Sequence, residues 1–300
     1  MTDVVECLVY ATGERVQLPV VRRLASRTTA FQRLELVDTA AFGRCLVLDG
    51  VLQAAETDHH LYDDAILWQL GAADRDLLIA GGGDGYVALR AVARVAALRA
   101  HVVDIDGELI ELCRQHLTPE LAAHPRITVE VDDAIAWAER RSAPSYDGVV
   151  VDLTDAPLDA RHAAPAAELY RRALAALVPL VRPGGWIAVQ AGASEVAAGT
   201  LHLPALLRPL LAGLLESVEE RAVYVPSYGE ANAFVGGRRR RLGEARAPVR
   251  GRGRRGSRRC RGAPGRPRRA AGPRSGGTPG GRSTAGCPHR PRRRRACRRT

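Results

Sequence analysis

The sequence contains no lysine: all 44 of its basic residues are arginine. Together with heavy use of alanine, glycine and proline, this points to a GC-rich coding sequence. Cysteine is sparse. Cys7, Cys45, Cys113, Cys260, Cys287 and Cys297 include no C-x-x-C pair and join no cluster of metal-ligand spacing. That excludes the common zinc and dithiol motifs, and the expectation is unpaired thiols in a reducing compartment, with no metal site. No long apolar run is present either. The most apolar later segment, Leu201–Leu215, is interrupted by Pro204, Arg208 and Pro209, so no membrane span is expected. Asp3 and Glu6 precede any apolar run, so no secretory signal is expected, and the location implied is the cytoplasm.

What is present is unevenly spread. Residues 238–300 hold 24 of the 44 arginines and one of the 33 acids, Glu244, leaving residues 1–237 with a net charge of −12. An acidic body suits a cationic small molecule better than nucleic acid. The arginine-rich tail has no aromatic residue on which bases could stack, which argues against a nucleic-acid arm. With no apolar period, residues 238–300 are expected to be disordered. Their abrupt start after a strand-like segment favours a frameshift product in a GC-rich gene.

The central stretch is Leu77–Asp106, LLIAGGGDGYVALRAVARVAALRAHVVDID. A short apolar run, a glycine turn, a helix-periodic segment from Tyr86 and a second apolar run ending in Asp104-Ile105-Asp106 predict a βαβ unit. The glycines leave room for a ligand beside the backbone, and an acid about 20 residues further on is the usual ribose contact of nucleoside-binding units. A tight turn without a ligand is the plain alternative. Asp84 stands inside the turn, where a pyrophosphate would otherwise lie. A carboxylate repels phosphate and attracts a cation, so the ligand expected is a nucleoside carrying positive charge, such as an S-adenosyl sulfonium compound.

Residues 1–57 read as a small antiparallel β domain, with Asp49-Gly50 as a hairpin turn. Thr57-Asp58 can cap a helix over 59–70. Residues 58–237 alternate strands and helices, which predicts an α/β fold with a doubly wound, mostly parallel, Rossmann-like sheet of the methyltransferase type. Acids follow four consecutive strands: Asp84; Asp104 and Asp106; Asp132 and Asp133; Asp152 and Asp155. Ligands of such sheets bind outside the carboxyl ends of the strands. Acids gathered there repel one another unless a cation or hydroxyl-rich ligand lies between them.

In order along about residues 28–236, the segments FGRCLVLDGVLQAAETDHHLYDDAIL, GGGDG, VVDIDGELIELCRQHL, RITVEVDDAIAW, YDGVVVDLTDAP, RPGGWIAVQ and YVPSYGEANAFV resemble the spermidine synthases, or polyamine aminopropyltransferases. The resemblance implies transfer of the aminopropyl group of decarboxylated S-adenosylmethionine, as cosubstrate, to an amine such as putrescine, with no prosthetic group. It also implies assembly into a homodimer or homotetramer. The glycine loop with Gly81 and Gly83 would receive the nucleoside. Gln53 and Asp84 would contact its aminopropyl and thioether part, Asp104 the ribose and Asp133 the adenine. Asp152 would be catalytic, and Tyr62, Asp155 and Tyr228 would hold the acceptor, although packing is an equal alternative for the two tyrosines. A carboxylate suits this chemistry because an attacking amine must lose its proton.

The chain departs from the family pattern at three places. Asp63-Asp64 follow Tyr62 in place of His or Gln and then Glu. Ala191-Gly192 stand in place of Gly-Glu, and Asp132-Asp133-Ala134 in place of Gly-Asp-Gly. The first two bear on the acceptor. An S-adenosylmethionine-dependent methyltransferase and a non-catalytic relative of the family are the competing readings.

Overall fold

The computed structural model describes residues 3–153 and 163–241 of the chain. Asp155 and residues 242–300 of the expected tail lie outside the described residues.

Five strands form the first sheet: β1 (Val4–Leu8), β2 (Arg15–Thr28), β3 (Arg33–Thr39), β4 (Gly43–Leu48) and β5 (Val51–Ala55), antiparallel and in sequence order. Asp49 and Gly50 join β4 to β5 with φ of 48° and 80°, the two positive values that a tight hairpin turn needs. Leu36, Leu46 and Ala54 of this sheet pack on Tyr86, Leu109 and Ile110. β2 carries no clean alternation because most of its side chains face solvent. Pairing with β1 and β3, rather than a buried face of its own, makes it a strand.

The second sheet contains β6 (Asp76–Gly81), β7 (Arg99–Asp104), β8 (Ile127–Val131), β9 (Tyr146–Asp152), β10 (Val181–Ala193), β11 (Glu219–Val225) and β12 (Glu230–Arg238). Its order is β11-β12-β10-β9-β6-β7-β8. The run from β10 to β8 is parallel, and β12 and β11 extend it antiparallel. The helices are α1 (His59–Ile66), α2 (Tyr86–Arg94), α3 (Gly107–His116), α4 (Ala134–Glu139), α5 (Ala163–Leu177) and α6 (Leu203–Leu214). Successive strand residues serve opposite faces. Leu78, Val149, Val151, Ile187 and Val189 pack with α4, α5 and α6. Leu77, Ile79, Val150, Trp186 and Ala188 pack with α1 and α2. This is the doubly wound, mostly parallel sheet expected, behind an antiparallel N-terminal sheet.

Several local expectations change. β10 begins at Val181 and runs through Arg182-Pro183-Gly184-Gly185, with an irregularity before Trp186 and a positive φ at Gly184. α6 begins at Leu203, with Pro204 in its first turn and Pro209 inside it. The helix read to Leu70 stops at Ile66. Arg238, where the tail was expected to begin, is still in β12 and pairs with Trp186.

Candidate active site

A cavity of about 240 Å³ lies at the carboxyl ends of β6, β7, β9 and β10, covered by the first sheet and α1. Gln53, Tyr62, Gly83, Asp84, Asp104, Asp152 and Tyr228, all singled out in the sequence, line it.

The glycine loop brings the acids close. Gly81 has φ +85°, and a Cβ there would stand 1.8 Å from the Asp152 carbonyl oxygen. Only glycine lets β6 and β9 close up at this point, so Gly81 shapes the site from behind without lining it. Gly83 approaches Asp104: a Cβ would meet the carboxylate Oδ2 at 2.8 Å. Its backbone N–H instead donates to that oxygen at 3.0 Å. Asp106 N–H donates to the other Asp104 oxygen at 2.9 Å, and Tyr86 N–H donates to Asp84 Oδ1 at 2.8 Å. Asp84 keeps some surface open to the cavity and is otherwise enclosed. Burial pushes its carboxyl up to about 6, against the backbone bond and aided by Asp63 and Asp104 nearby. Burial also raises Asp104 and Asp63. Enclosed carboxyls with raised proton affinity are a site poised for positive charge.

The two strand-end acids of β7 have different employment. Asp104 faces the cavity. Asp106 is buried, caps α3 through Leu109 N–H, and accepts from Thr29 Oγ1 at 2.7 Å and Gln32 Nε2 at 2.9 Å, tying the two sheets together. Asp133 does not line the cavity. It sits one strand beyond Asp104, where its Oδ1 caps α4 by accepting from Ile135 and Ala136 N–H. The expected gathering of Asp84, Asp104, Asp133 and Asp152 around one cavity therefore holds for three of the four.

The other half of the cavity is built from remote parts of the chain. Tyr62 of α1 donates its hydroxyl to Asp152 Oδ1 at 2.7 Å and meets the Phe234 ring edge-on at 4.9 Å. Tyr228 donates its hydroxyl to the Gln53 backbone oxygen. Asp58 holds the loop that carries Tyr228. Its carboxylate makes no bond to its own helix but accepts from Ser227 N–H and Oγ, both at 2.8 Å, so the helix cap expected of it is a cross-chain tie instead.

Asp63 and Asp64 part company. Asp64 faces Arg90 and Arg94 on α2. Asp63 is buried, lines the cavity and meets His59 Nδ1 at 2.6 Å. The His59 ring stacks on Tyr86 at 3.6 Å. Sequence reasoning missed His59, although the four-residue spacing to Asp63 puts both on one helix face. It also missed Gln190, Glu230 and Asn232, buried polar residues on the same lining. Among the described residues, no group of three or more His, Cys, Asp or Glu could hold a metal ion, and no helix is long and apolar enough to cross a membrane.

Two family descriptions match this chain: the spermine/spermidine synthase domain over residues 68–236 and the spermidine synthase tetramerisation domain over residues 9–56. A polyamine aminopropyltransferase of Synechococcus sp. (strain JA-2-3B'a(2-13)) is 33% identical over 229 residues, 72% of this chain and 70% of that protein. Polyamine aminopropyltransferase 2 of Pseudomonas aeruginosa is 35% identical over 222 residues, 71% of this chain and 61% of that protein. Among solved structures, a spermidine synthase in complex with the transition state analogue AdoDATO has a TM-score of 0.68 at 17% identity, covering 79% of this chain and 80% of that one. The spermidine synthase from Thermotoga maritima has a TM-score of 0.63 at 16% identity, covering 79% of each chain. At these identities the two structures speak for the fold.

Proposed function

The chain belongs to the spermine/spermidine synthase family and is a transferase of the polyamine aminopropyltransferase type, and from this premise we propose that it moves the aminopropyl group of decarboxylated S-adenosylmethionine to a diamine such as putrescine. The observation that carries this reading is the Asp152 carboxylate, held by Tyr62 at 2.7 Å beside the enclosed acids of the glycine loop, in one cavity.

In this reading the nucleoside lies over β6 and β7. Asp104, with its oxygens set by two backbone N–H groups, takes the ribose hydroxyls. The adenine lies beyond, toward Asp133 on the β8 side. Gln53 and Asp84 stand near the sulfonium and its aminopropyl arm, where negative charge stabilises the bound cation. The acceptor enters on the β9–β10 side. Asp152 takes a proton from its ammonium and aligns the freed lone pair on the carbon next to sulfur. A carbon–nitrogen bond forms as the carbon–sulfur bond breaks, and the sulfur leaves as a neutral thioether. Tyr62 steers the base, and Tyr228 walls the acceptor side. Holding both reactants in line supplies much of the acceleration.

A product assay tests the reading. Purified protein receives either decarboxylated or ordinary S-adenosylmethionine with a panel of amines, and products are weighed by mass spectrometry. Aminopropylated amine from the decarboxylated donor is expected. Methyl transfer from the ordinary donor alone, or nucleoside binding without turnover on any amine, overturns it. The tetramerisation-domain match and the exposed Val21 of β2 support assembly through the first sheet. Light scattering on the full chain checks this, and a monomer would contradict it.

A further inference from the structure

Two apolar side chains of the cavity lining stand half in solvent. Phe31 is 51% exposed and Ile105 43%, and both line the cavity with Asp104. Phe31 belongs to neither apolar cluster of the first sheet, yet the turn between β2 and β3 that carries it is tightly built. Thr29 N–H donates to the Gln32 oxygen at 2.9 Å. The Thr29 hydroxyl accepts from Phe31 N–H at 3.1 Å and from Gln32 N–H at 3.2 Å, and donates to Asp106 Oδ2 at 2.7 Å. Gln32 Nε2 donates to the same carboxylate oxygen at 2.9 Å. Asp106 is buried, and its other oxygen is held by the first turn of α3. The backbone under Phe31 is therefore fixed to the segment Asp104-Ile105-Asp106, which also supplies the cavity acid and the second apolar side chain. Exposed Val131, at the end of β8, lies over Gly107, where a Cβ would meet its Cγ1 at 3.3 Å, so apolar surface continues from Ile105 toward β8.

We propose that Phe31 is a stacking face for the base of the nucleoside, positioned through Thr29 and Asp106, so that the N-terminal sheet takes part in selecting the cosubstrate. The inference rests on the aminopropyltransferase reading above for the identity of that nucleoside. An exposed ring adds nothing to the core, but a flat base laid on it removes apolar area from water on both partners and meets it face to face or edge to face. The pin at Asp106 keeps the ring at a set place relative to Asp104, the carboxylate assigned to the ribose. A base joined to that ribose then meets Phe31 without reordering the turn, and little conformational entropy is lost on binding.

Calorimetry on the full chain tests this with 5′-methylthioadenosine, the neutral thioether nucleoside left after transfer, which binds without turnover. Phe31→Ala should weaken it roughly 10- to 100-fold, Phe31→Tyr should hold it near the wild-type value, and the melting temperature of the empty protein should stay the same in both. Phe31→Trp adds a spectroscopic signature: its fluorescence, taken as the difference from wild type, should be quenched when the nucleoside is added. Thr29→Val frees the turn from Asp106. It should weaken the nucleoside by a smaller factor in the wild type and by none in Phe31→Ala, a double-mutant cycle that a purely structural threonine would not give. The KM for putrescine, at saturating decarboxylated S-adenosylmethionine, should not move in Phe31→Ala. Unchanged nucleoside affinity in Phe31→Ala, or a putrescine KM that rises in step with the nucleoside constant, would overturn the stacking face. A wild type that binds the nucleoside through Phe31 but transfers no aminopropyl group would refute the transferase reading and leave the stacking face standing.

Discussion

The two halves of the cavity are built in opposite ways. On the nucleoside side, Asp84 and Asp104 are held by backbone N–H groups: Tyr86 and Asp106, two residues on, and Gly83 one βαβ unit away. On the side assigned to the acceptor, four ties run to partners far off in the chain, Tyr62 on Asp152, Tyr228 on Gln53, Ser227 on Asp58 and Ala11 on Glu230, beside the local pair of Asp63 with His59. The glycine-loop acids of the first half are a property of one supersecondary unit. The second exists only once the N-terminal sheet, α1 and the β11–β12 loop have met. On the proposed reading, a local half suits a cosubstrate whose shape does not vary, and an assembled half can alter acceptor choice without disturbing the nucleoside.

The largest expected effect breaks the two halves apart. Asp152→Asn keeps the shape and removes the proposed base, so turnover should fall about 10²- to 10⁴-fold while nucleoside affinity, measured by calorimetry, changes little. Equal losses in both would mean that the halves are not separable.

Next comes pH, which reads the nucleoside side. With its carboxyl pushed up to about 6, folded Asp84 holds a proton that the unfolded chain has released above its ordinary value near 4. Stability of the empty protein should therefore fall as pH rises from about 4 to 6, by on the order of 2 kcal/mol after allowing for water in the cavity. Asp63 and Asp104, also raised, add with the same sign. A bound sulfonium favours the ionised carboxylates, so its affinity should rise across the same interval. Thermal melting from pH 4 to 7, with and without nucleoside, checks both slopes, and Asp84→Asn should make them shallower.

A smaller effect tests the remote ties. Tyr62→Phe removes one hydrogen bond to Asp152, about 1 kcal/mol, and should lower kcat about fivefold with the nucleoside constant unmoved. The smallest effect belongs to Asp64, whose pairs with Arg90 and Arg94 are partly exposed. Asp64→Ala should change stability by under about 1 kcal/mol and leave kinetics alone. Asp63→Ala, one residue earlier, should alter acceptor kinetics if α1 sorts its two acids as the fold places them.

Legibility in the sequence follows the same division. The choice of Asp104 over Asp106 came from the family resemblance, and the glycine loop and Asp84 are contiguous signals read from local pattern. The irregularity in β10 and the strand character of β2 are not, because both depend on neighbouring strands. His59, Glu230 and Asn232 went unread because a buried polar residue on a cavity wall carries no local pattern. Asp58 and Asp106 look in sequence like other helix-capping or strand-end acids, and only Ser227, Thr29 and Gln32, brought from elsewhere, show what they do.

By itself, then, the order of residues determined the alternation of strands and helices, the acidic body and the glycine turn, because backbone geometry and burial periodicity act over a few residues. The tertiary structure alone decided which acids face the cavity, which bind the fold together, and which polar side chains close its far end. Those outcomes depend on contacts between segments up to 219 positions apart, and packing specifies such contacts only when the whole core forms.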